Sequence, residues 1–290
     1  MRAETKTLTA METIIITTDF SKAAMNASRY AAGLSKSIGI SRIVLYHSYD
    51  NAPAATDIPV AETDTTLAHE GSLLALEILD REISLVLGTE SGITIDLVAN
   101  GLPLELGVEQ LAEQWRAGLV VVGTTGKSGL EKFFVGSNTV SLATSCPVSL
   151  LIVPKEAEFG PIEKIVFACD LKMVTRSTPV SEIGWWLDRL QAKLMVLNVA
   201  MEGKRFDPDM IPEQYKMHEL LDGFKPSYHY EAGDDIAEEI ADFAEDEDAG
   251  LVITVPKSYG FFEGLFHRSV STKLMDKTEV PLLLLKEKQL

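Results

Sequence analysis

The sequence has few cysteines, few basic residues for its acidic content and no long apolar run. Its two cysteines, Cys146 and Cys169, form no CxxC pair, so a disulfide-stapled secreted scaffold is excluded. Its 43 acidic against 26 basic side chains give a formal charge of −17, which opposes binding to nucleic acid phosphates and to anionic membrane surfaces. We therefore expect neither a nucleic acid nor a membrane as a partner.

Apolar segments are short throughout the chain. The best candidates, LVVVG and PLLLLK, have the length of a strand and fall far below the ~20 apolar residues that cross a bilayer. The polar beginning, MRAETKTLTAMET, lacks the apolar segment of a signal peptide. The sequence therefore predicts a cytoplasmic protein, and its length predicts about two globular domains.

Short β-branched runs alternate with helical patterns in the first half. Strands are predicted at Ile14–Thr18, Ile43–Tyr46, Ile93–Val98, Leu119–Val122 and Val148–Val153. Helices are predicted at Lys22–Ser37, Leu67–Leu87, Leu104–Trp115 and from about Asn138. This alternation is typical of an α/β fold with a parallel sheet and helices on both faces. The segment PKEAEFGP at 154–161 is predicted to be a linker.

The second half repeats the first. One constant shift along the chain places IIITTD on IVFACD, so that Asp19 aligns with Asp170, and also places RIVLYHS on KLMVLNV without a gap. A smaller shift then aligns GLPLELG with GDDIAEE, and both halves end in a strand opened by proline. We therefore predict two copies of one domain, at residues 1–155 and 161–290. Chance similarity of ordinary βα units is the alternative.

The strongest local signal is a glycine-rich loop between the fourth strand and the next helix. Gly123, Gly126 and Gly136 with Ser137 form the spacing G-x2-G-x9-G-S. Glycines after a strand let the backbone turn sharply and approach a ligand, and the free N–H groups of the following helix start favour a phosphate. The loop therefore predicts an anion site, and the alternative is a tight βα turn alone.

Polar side chains of this loop add hydrogen-bond donors. Lys127 supplies a cation, and Ser137, Asn138 and Thr139 supply hydroxyl and amide groups at the helix start. The fragment GKS does not belong to a P-loop, because the position five residues before its glycine is Val121.

Asp19 follows the first predicted strand in the segment TTDFS. Ligands of open parallel sheets bind at the carboxyl ends of strands where the strand order reverses, so this segment should lie near the glycine loop. The carboxylate of Asp19 then accepts hydrogen bonds from a ribose or an adenine amine, or it caps the helix near Lys22 in competition with Ser21. The sequence leaves both roles open.

The segment TDFS, the spacing G-x2-G-x9-G-S and a last strand opened by Cys-Pro-Val together resemble the universal stress protein family in its tandem form. The resemblance covers Thr13 to Lys155 and Ile162 to Lys286. For each half it implies a Rossmann-like (adenine nucleotide alpha hydrolase-like) domain with a five-stranded parallel sheet in the order 3-2-1-4-5. It also implies ATP with Mg²⁺ across the ends of strands one and four.

Roles of individual residues follow from the same resemblance. The segment after the first strand contacts the nucleoside, the end of the second strand meets adenine, and the glycine loop with the next helix start holds ribose and phosphates. The predicted ATP-binding residues are Thr18, Asp19, Ser48, Val122, Gly123, Gly126, Lys127, Gly136, Ser137, Asn138 and Thr139. No metal site formed by protein side chains alone is predicted.

The second half departs from the pattern. Val255, Ser258 and Arg268 stand where the first half has its three glycines, and Pro256 removes an N–H donor. ATP binding is therefore not expected there. Single-domain family members commonly dimerise through the last strand, so we expect the two halves of this chain to pair in that way; a homodimer stays open.

No catalytic constellation is visible. The five histidines show no HxxxH or HExxH spacing, and His47 and Asn198 occupy equivalent strand ends, which favours a packing or hydrogen-bonding role over a chemical one. We predict a regulatory protein of the stress response that holds ATP in its first domain and is at most a slow ATPase. Its second domain is structural or regulatory, and its protein partner is unknown. The alternative is a scaffold that binds no nucleotide and recruits a protein partner.

Overall fold

The computed structural model describes residues 11–49, 62–124, 136–201, 208, 210–256 and 270–286. Strands of the first half are β1 (Thr13–Thr17), β2 (Arg42–Ser48), β3 (Thr94–Asn100), β4 (Leu119–Thr124) and β5 (Ser149–Pro154). Strands of the second half are β6 (Lys164–Ala168), β7 (Lys193–Met201), β8 (Ser227–Gly233), β9 (Leu251–Thr254) and β10 (Leu282–Leu284). Across the described residues they form one sheet in the order β3-β2-β1-β4-β5-β10-β9-β6-β7-β8. Each half therefore has the predicted order 3-2-1-4-5.

The two halves meet at β5 and β10. These strands pair antiparallel, with Leu282 opposite Ile152 and Leu284 opposite Leu150, whereas the strand pairs within each half are parallel. All four of these side chains are buried. The expected pairing through the last strands is thus present within one chain.

Helices cover both faces of the sheet. In chain order they are α1 (Lys22–Ile38), α2 (Glu62–Leu87), α3 (Leu104–Trp115), α4 (Ser137–Ser145), α5 (Val174–Ser177), α6 (Val180–Leu190), α7 (Met210–Leu221), α8 (Ile236–Asp246) and α9 (Val270–Lys277). Buried side chains of α1, α2, α5, α6 and α7 form the core of one face, and those of α3, α4, α8 and α9 form the core of the other.

The strands supply both cores in alternation. In β1, Ile14 and Ile16 belong to one core and Ile15 to the other, because successive side chains of a strand point to opposite faces. Each core contains residues of both halves. The second half is therefore packed against the first as part of the same hydrophobic interior.

Strand positions follow the sequence repeat. The shift that aligns Asp19 with Asp170 also places the first residue of β1 on that of β6 and the first residue of β2 on that of β7. The smaller shift places the start of β4 on the start of β9. The counterpart of α1 is the exception, since it is divided into α5 and α6 with Thr178 and Pro179 between them. Proline lacks the N–H of a continuous helix and its ring clashes with the preceding turn, which explains the interruption.

The predicted linker is packed against α1. Asn26 Nδ2 donates to the carbonyl oxygens of Pro154 at 3.1 Å and Ala157 at 2.8 Å. The Phe159 ring meets Tyr30 edge-on, with ring centroids 5.3 Å apart. This segment therefore holds the start of the second half on the first helix of the chain.

Candidate functional site

A cavity of about 510 Å³ opens at the carboxyl ends of β1 and β4. These two strands are neighbours, and the chain leaves them towards opposite sides of the sheet, to β2 and to β5. This is the switch point at which open α/β sheets bind their ligands. The volume lies within the range of about 300–1,000 Å³ that is usual for small-molecule sites.

The cavity brings together the described members of the predicted site. Its lining includes Thr18, Asp19, Ser48, Val122, Gly123, Gly136, Ser137, Asn138 and Thr139. The remaining two predicted residues, Gly126 and Lys127, lie outside the described residues.

The turn after β1 separates the roles of Asp19 and Ser21. Ser21 is the N-cap of α1, because its Oγ accepts from the Ala24 N–H at 3.2 Å. Asp19 Oδ1 instead accepts from the Ser21 N–H at 2.9 Å, and the Asp19 side chain is exposed at the cavity. Of the two roles that the sequence leaves open, the helix cap belongs to Ser21.

His47 supports this turn from β2. Its Nδ1 lies 2.7 Å from the carbonyl oxygen of Thr18, which can only accept, so Nδ1 carries the hydrogen. Asn198 does the same in the second half, where its Nδ2 donates to the Cys169 carbonyl at 2.9 Å. The predicted hydrogen-bonding role of this pair is confirmed.

The backbone of the turn is strained in both halves. Phe20 has φ of 60° and Leu171 has φ of 51°, in the left-handed region that non-glycine residues rarely occupy. The Phe20 ring packs on the His47 ring, with centroids 4.6 Å apart, and thereby holds this conformation. A strained residue beside a ligand-sized cavity is a frequent property of binding sites.

Gly123 serves packing instead of the sharp turn that the sequence predicts. Strand β4 continues through Gly123 to Thr124. A Cβ on Gly123 would lie 2.4 Å from the Ala23 carbonyl oxygen and 2.9 Å from the Ala24 nitrogen. The missing side chain thus lets the first turn of α1 lie directly on β4, next to the cavity.

Gly136 differs from Gly123, because no close packing between described elements explains why this residue is glycine. It precedes α4 with φ of −54°, which any residue adopts, and a Cβ there would have no atom of the described residues within 4 Å. The residue makes no side-chain cap, and the first N–H groups of a helix have no acceptor within it. Glycine therefore leaves the N-terminus of α4 open towards the cavity.

Several residues that line the cavity were not predicted from the sequence. Pro103, Leu104 and Glu105 line the cavity from the start of α3, and the Ser141 hydroxyl on α4 donates to Glu105 Oε1. Their position directly after β3 is the signal that could have found them, because carboxyl ends of parallel strands lie at one edge of the sheet. Asp19 and Glu105 are the carboxylates of the described lining.

Thr124 is a further lining residue that the sequence did not single out. Its Oγ1 is buried and has no hydrogen-bond partner among the described residues. A buried hydroxyl without a partner costs free energy, so a polar ligand atom in the cavity would satisfy it. Thr139 nearby is tied down, since its Oγ1 donates to the Gly123 carbonyl at 3.3 Å.

The equivalent region of the second half holds a smaller cavity of about 80 Å³ with a mainly apolar lining. Val255, which aligns with Gly123, is buried and contributes to that lining. Ser258 and Arg268 lie outside the described residues. That the second half does not hold ATP stays a prediction.

The part of the chain that the structure describes contains neither a cluster of metal-ligating side chains nor a membrane-crossing helix. No three His, Cys, Asp or Glu side chains there are grouped as metal ligands. None of the helices there combines the length and apolar character that a membrane-crossing segment needs.

Comparison with known sequences points to one family. The family model described as "Universal stress protein family" matches residues 11–154. Universal stress protein E of Salmonella typhi is 27% identical over 134 residues, and its Escherichia coli K12 namesake is 26% identical over 134 residues. Each match covers 45% of this chain and 40% of the relative, so this chain matches about two fifths of the length of these curated relatives.

Solved structures resemble the whole chain in fold. A universal stress protein from Archaeoglobus fulgidus superposes with a TM-score of 0.73 at 14% identity, over 96% of this chain and 99% of that one. The functionally unknown protein PA1789 from Pseudomonas aeruginosa gives a TM-score of 0.59 at 15% identity, over 96% and 93%. At this identity the likeness shows the fold alone. Through its residues 11–154 the chain belongs to the universal stress protein family, and both of its halves have the Rossmann-like fold of that family.

Proposed function

We propose that the first half binds ATP in the 510 Å³ cavity and that the protein is a nucleotide-binding regulator of the stress response. The observation that carries the proposal is Gly136, a glycine that neither its backbone conformation nor its packing against the described residues requires. A side chain at this position would extend into the space in front of the α4 N-terminus. Glycine there is explained by a ligand that approaches the helix closely.

The phosphates belong at the N-terminus of α4. The Thr139 N–H already donates to the Gly136 carbonyl at 3.0 Å, but the N–H groups ahead of it and the helix dipole favour negative charge at this end. Ser137 and Asn138 line the cavity beside them and offer hydroxyl and amide donors. The Thr124 hydroxyl, which lacks a partner among the described residues, is a third donor on the β4 side.

The nucleoside belongs at the ends of β1 and β2. The exposed Asp19 carboxylate accepts hydrogen bonds from ribose hydroxyls, a role compatible with the single bond that its Oδ1 accepts from Ser21. Ser48, at the end of β2, and Leu104, at the start of α3, also line the cavity. The Ser48 hydroxyl donates to the Leu102 carbonyl, which fixes the end of β2 against the loop before α3.

Magnesium accompanies the phosphates in this proposal. A net charge of −17 and two lining carboxylates, Asp19 and Glu105, oppose the entry of a bare nucleotide polyanion. Mg²⁺ is usually held by one or two carboxylates together with phosphate oxygens, and Glu105, whose Oε1 accepts from the Ser141 hydroxyl of α4, supplies the protein's share. Bound Mg²⁺ neutralises part of the phosphate charge.

The second half, from residue 161, has a structural or regulatory role in the proposal. This role is supported by the small volume of its mainly apolar cavity, about 80 Å³ between described residues, and by its last strand, which pairs with β5 of the first half. The boundary at residues 155–161 follows the packed segment between β5 and β6.

Calorimetric titration of the full chain with Mg·ATP tests the proposal. At a hundredfold excess of ligand over Kd, binding stabilises the folded state by about 2.7 kcal/mol, which raises the Tm. Gly136→Val should fold as well as the wild type and lose the heat of binding. Gly160→Val is the matched control, because Gly160 also has open space around its Cβ position but does not line the cavity.

The scaffold alternative makes the opposite prediction. Its supporting observation is the acidic charge, together with exposed apolar side chains on α2. If neither ATP nor Mg·ATP gives a heat of binding or a change in Tm, the nucleotide proposal is wrong and the scaffold role is favoured.

A further inference from the structure

Helix α2 has two apolar faces, although only one of them packs on the sheet. Its buried face is formed by Leu76, Leu79, Ile83 and Leu87. Its outward face carries Leu67, Leu74, Ile78 and Leu85, which are 64%, 60%, 55% and 85% exposed. A surface helix of a monomeric protein normally has one apolar stripe and a polar opposite face, so the second stripe indicates a further packing partner.

The spacing of the outward residues is that of a coiled-coil seam. Leu67, Leu74, Ile78 and Leu85 are separated by seven, four and seven residues, and Gly71 and Arg81 complete the alternation of four and three. The seam extends over about 27 Å of helix. We refer to these six positions as the α2 seam.

We propose that the α2 seam is the interface of a homodimer in which the α2 helices of two copies pair antiparallel. In this arrangement Leu67 lies opposite the partner's Leu85, and Leu74 lies opposite the partner's Ile78. The twofold axis then generates each of these two apolar contacts a second time, as an isologous interface requires.

The two remaining seam positions, Gly71 and Arg81, are complementary in size when the helices pair in this register. Gly71 lies opposite the partner's Arg81, and a Cβ on Gly71 would have no atom within 4 Å, so the surface is open there. Glu70 stands beside Gly71 and is exposed, as Arg81 is. The long Arg81 side chain therefore fits over the partner's glycine and pairs with the partner's Glu70. A parallel arrangement would instead place Arg81 against the partner's Arg81.

On one side of the α2 seam, small residues let the two helices approach closely. Ala68 and Ala75 border it there, and both are small. On the other side Glu77 lies near the twofold axis, across from the partner's Glu77. Like charges at this place oppose association, so Glu77→Gln should tighten a dimer that has the proposed register.

The second half offers no equivalent seam among its described residues. Its corresponding helix, α7, has 12 residues, and its exposed large apolar side chains, Ile211 and Tyr215, are one turn apart. A single turn is too short for knobs-into-holes packing along a helix. Of these two helices, only α2 of a second copy has an apolar surface long enough to pair with the α2 seam.

Sedimentation of the full chain over a range of micromolar concentrations tests the proposal. The wild type should associate to a dimer, and Leu74→Lys combined with Ile78→Lys should sediment as a monomer at the same concentrations. Tyr215→Lys is the matched control, because Tyr215 is 76% exposed on α7 and should leave the dimer unchanged. Circular dichroism of each variant checks that the helices are retained.

Disulfide formation distinguishes the register. An equimolar mixture of Leu74→Cys and Ile78→Cys proteins should give a crosslinked dimer, and each protein alone should not. The wild type controls for Cys146 and Cys169. Crosslinking of Leu74→Cys alone would show a parallel pairing and overturn the proposed one.

Two other outcomes overturn the proposal. A wild type that is monomeric at every concentration means that another partner or another segment of the chain covers the seam. A dimer that survives the Leu74→Lys, Ile78→Lys substitution uses a different surface.

Discussion

At the scale of single residues, two glycines of one sequence motif have different physical causes. Gly123 is required by its own fold, because a Cβ would enter the backbone of α1 at 2.4 Å from the Ala23 oxygen. Gly136, by contrast, has no described atom within 4 Å of its Cβ position. The two positions therefore respond differently to the same substitution.

Gly123→Ala should destabilise the protein by about 1–3 kcal/mol, as overpacking against backbone does. Gly136→Ala should change the free energy of unfolding by less than about 0.5 kcal/mol. Urea denaturation of both variants beside the wild type measures the difference. Equal losses at the two positions would contradict the steric role of Gly123.

The residue types in the sequence predicted where the candidate site lies better than they predicted what each of its residues does. The segment TTDFS and the glycine loop were sufficient to bring Asp19, Gly123 and Gly136 to one cavity. The packing of α1 on Gly123 was not visible, because it depends on the distance between a helix and a strand that lie far apart in the chain. Glu105 and Thr124 were missed because one helix-start carboxylate and one strand-end threonine form no motif.

At the scale of elements, the described starts of α1 and α8 are each capped by a polar side chain, Ser21 and Asp235. Asp235 caps α8, since its Oδ1 accepts from the Ala237 N–H at 3.0 Å, and its Oδ2 lies 3.2 Å from Lys273 Nζ. Burial alone would raise the pKa of Asp235, but the hydrogen bonds from Lys273 and Ala237 and the charge of Lys277 outweigh it and hold the pKa below its usual value.

Asp235→Ala should therefore cost about 1 kcal/mol of stability near neutral pH through the lost cap. Because the folded-state pKa is depressed, the contribution of the charge is complete above the unfolded-state pKa of about 3.9 and is lost as the pH falls through the folded-state value. The stability difference between wild type and variant should thus shrink in acid.

Asp235→Asn is the matched control, since asparagine caps as well as aspartate but carries no charge. It should retain most of the cap at neutral pH and lose the acid dependence. Thermal melts across pH measure both effects; an Asp235→Ala difference that stays constant into acid would contradict the charge contribution.

Apolar periodicity predicted the bounds of a helix correctly where the apolar residues extend over its whole length. Helix α3 has its predicted bounds, because Pro103 precedes it and its apolar face is regular. Helix α2 begins at Glu62, ahead of the predicted start at Leu67, because its first turn contains no apolar side chain to mark it. The repeat alone did not predict the break between α5 and α6.

At the scale of the whole molecule, the continuous sheet and the shared cores predict one cooperative unit. The first half contains Trp115 and the second contains Trp185 and Trp186, which allows separate fluorescence probes. A Trp115→Phe variant reports on the second half, and a Trp185→Phe, Trp186→Phe variant reports on the first.

In each variant, the fluorescence and circular dichroism transitions in urea should coincide, because neither half can lose its packing without exposing the core of the other. Two separated transitions within one variant would show that the halves unfold independently across the β5–β10 pair.

The β5–β10 pair also sets how the molecule behaves on dilution. Two separate domains that meet through such strands would come apart as their concentration falls, whereas a short connection keeps the strands at an effective concentration of about millimolar. The segment packed along α1 fixes that connection further. The half with the larger cavity is thus always attached to the second half. The sequence of the second half is free to diverge, because that half never has to find its partner by diffusion.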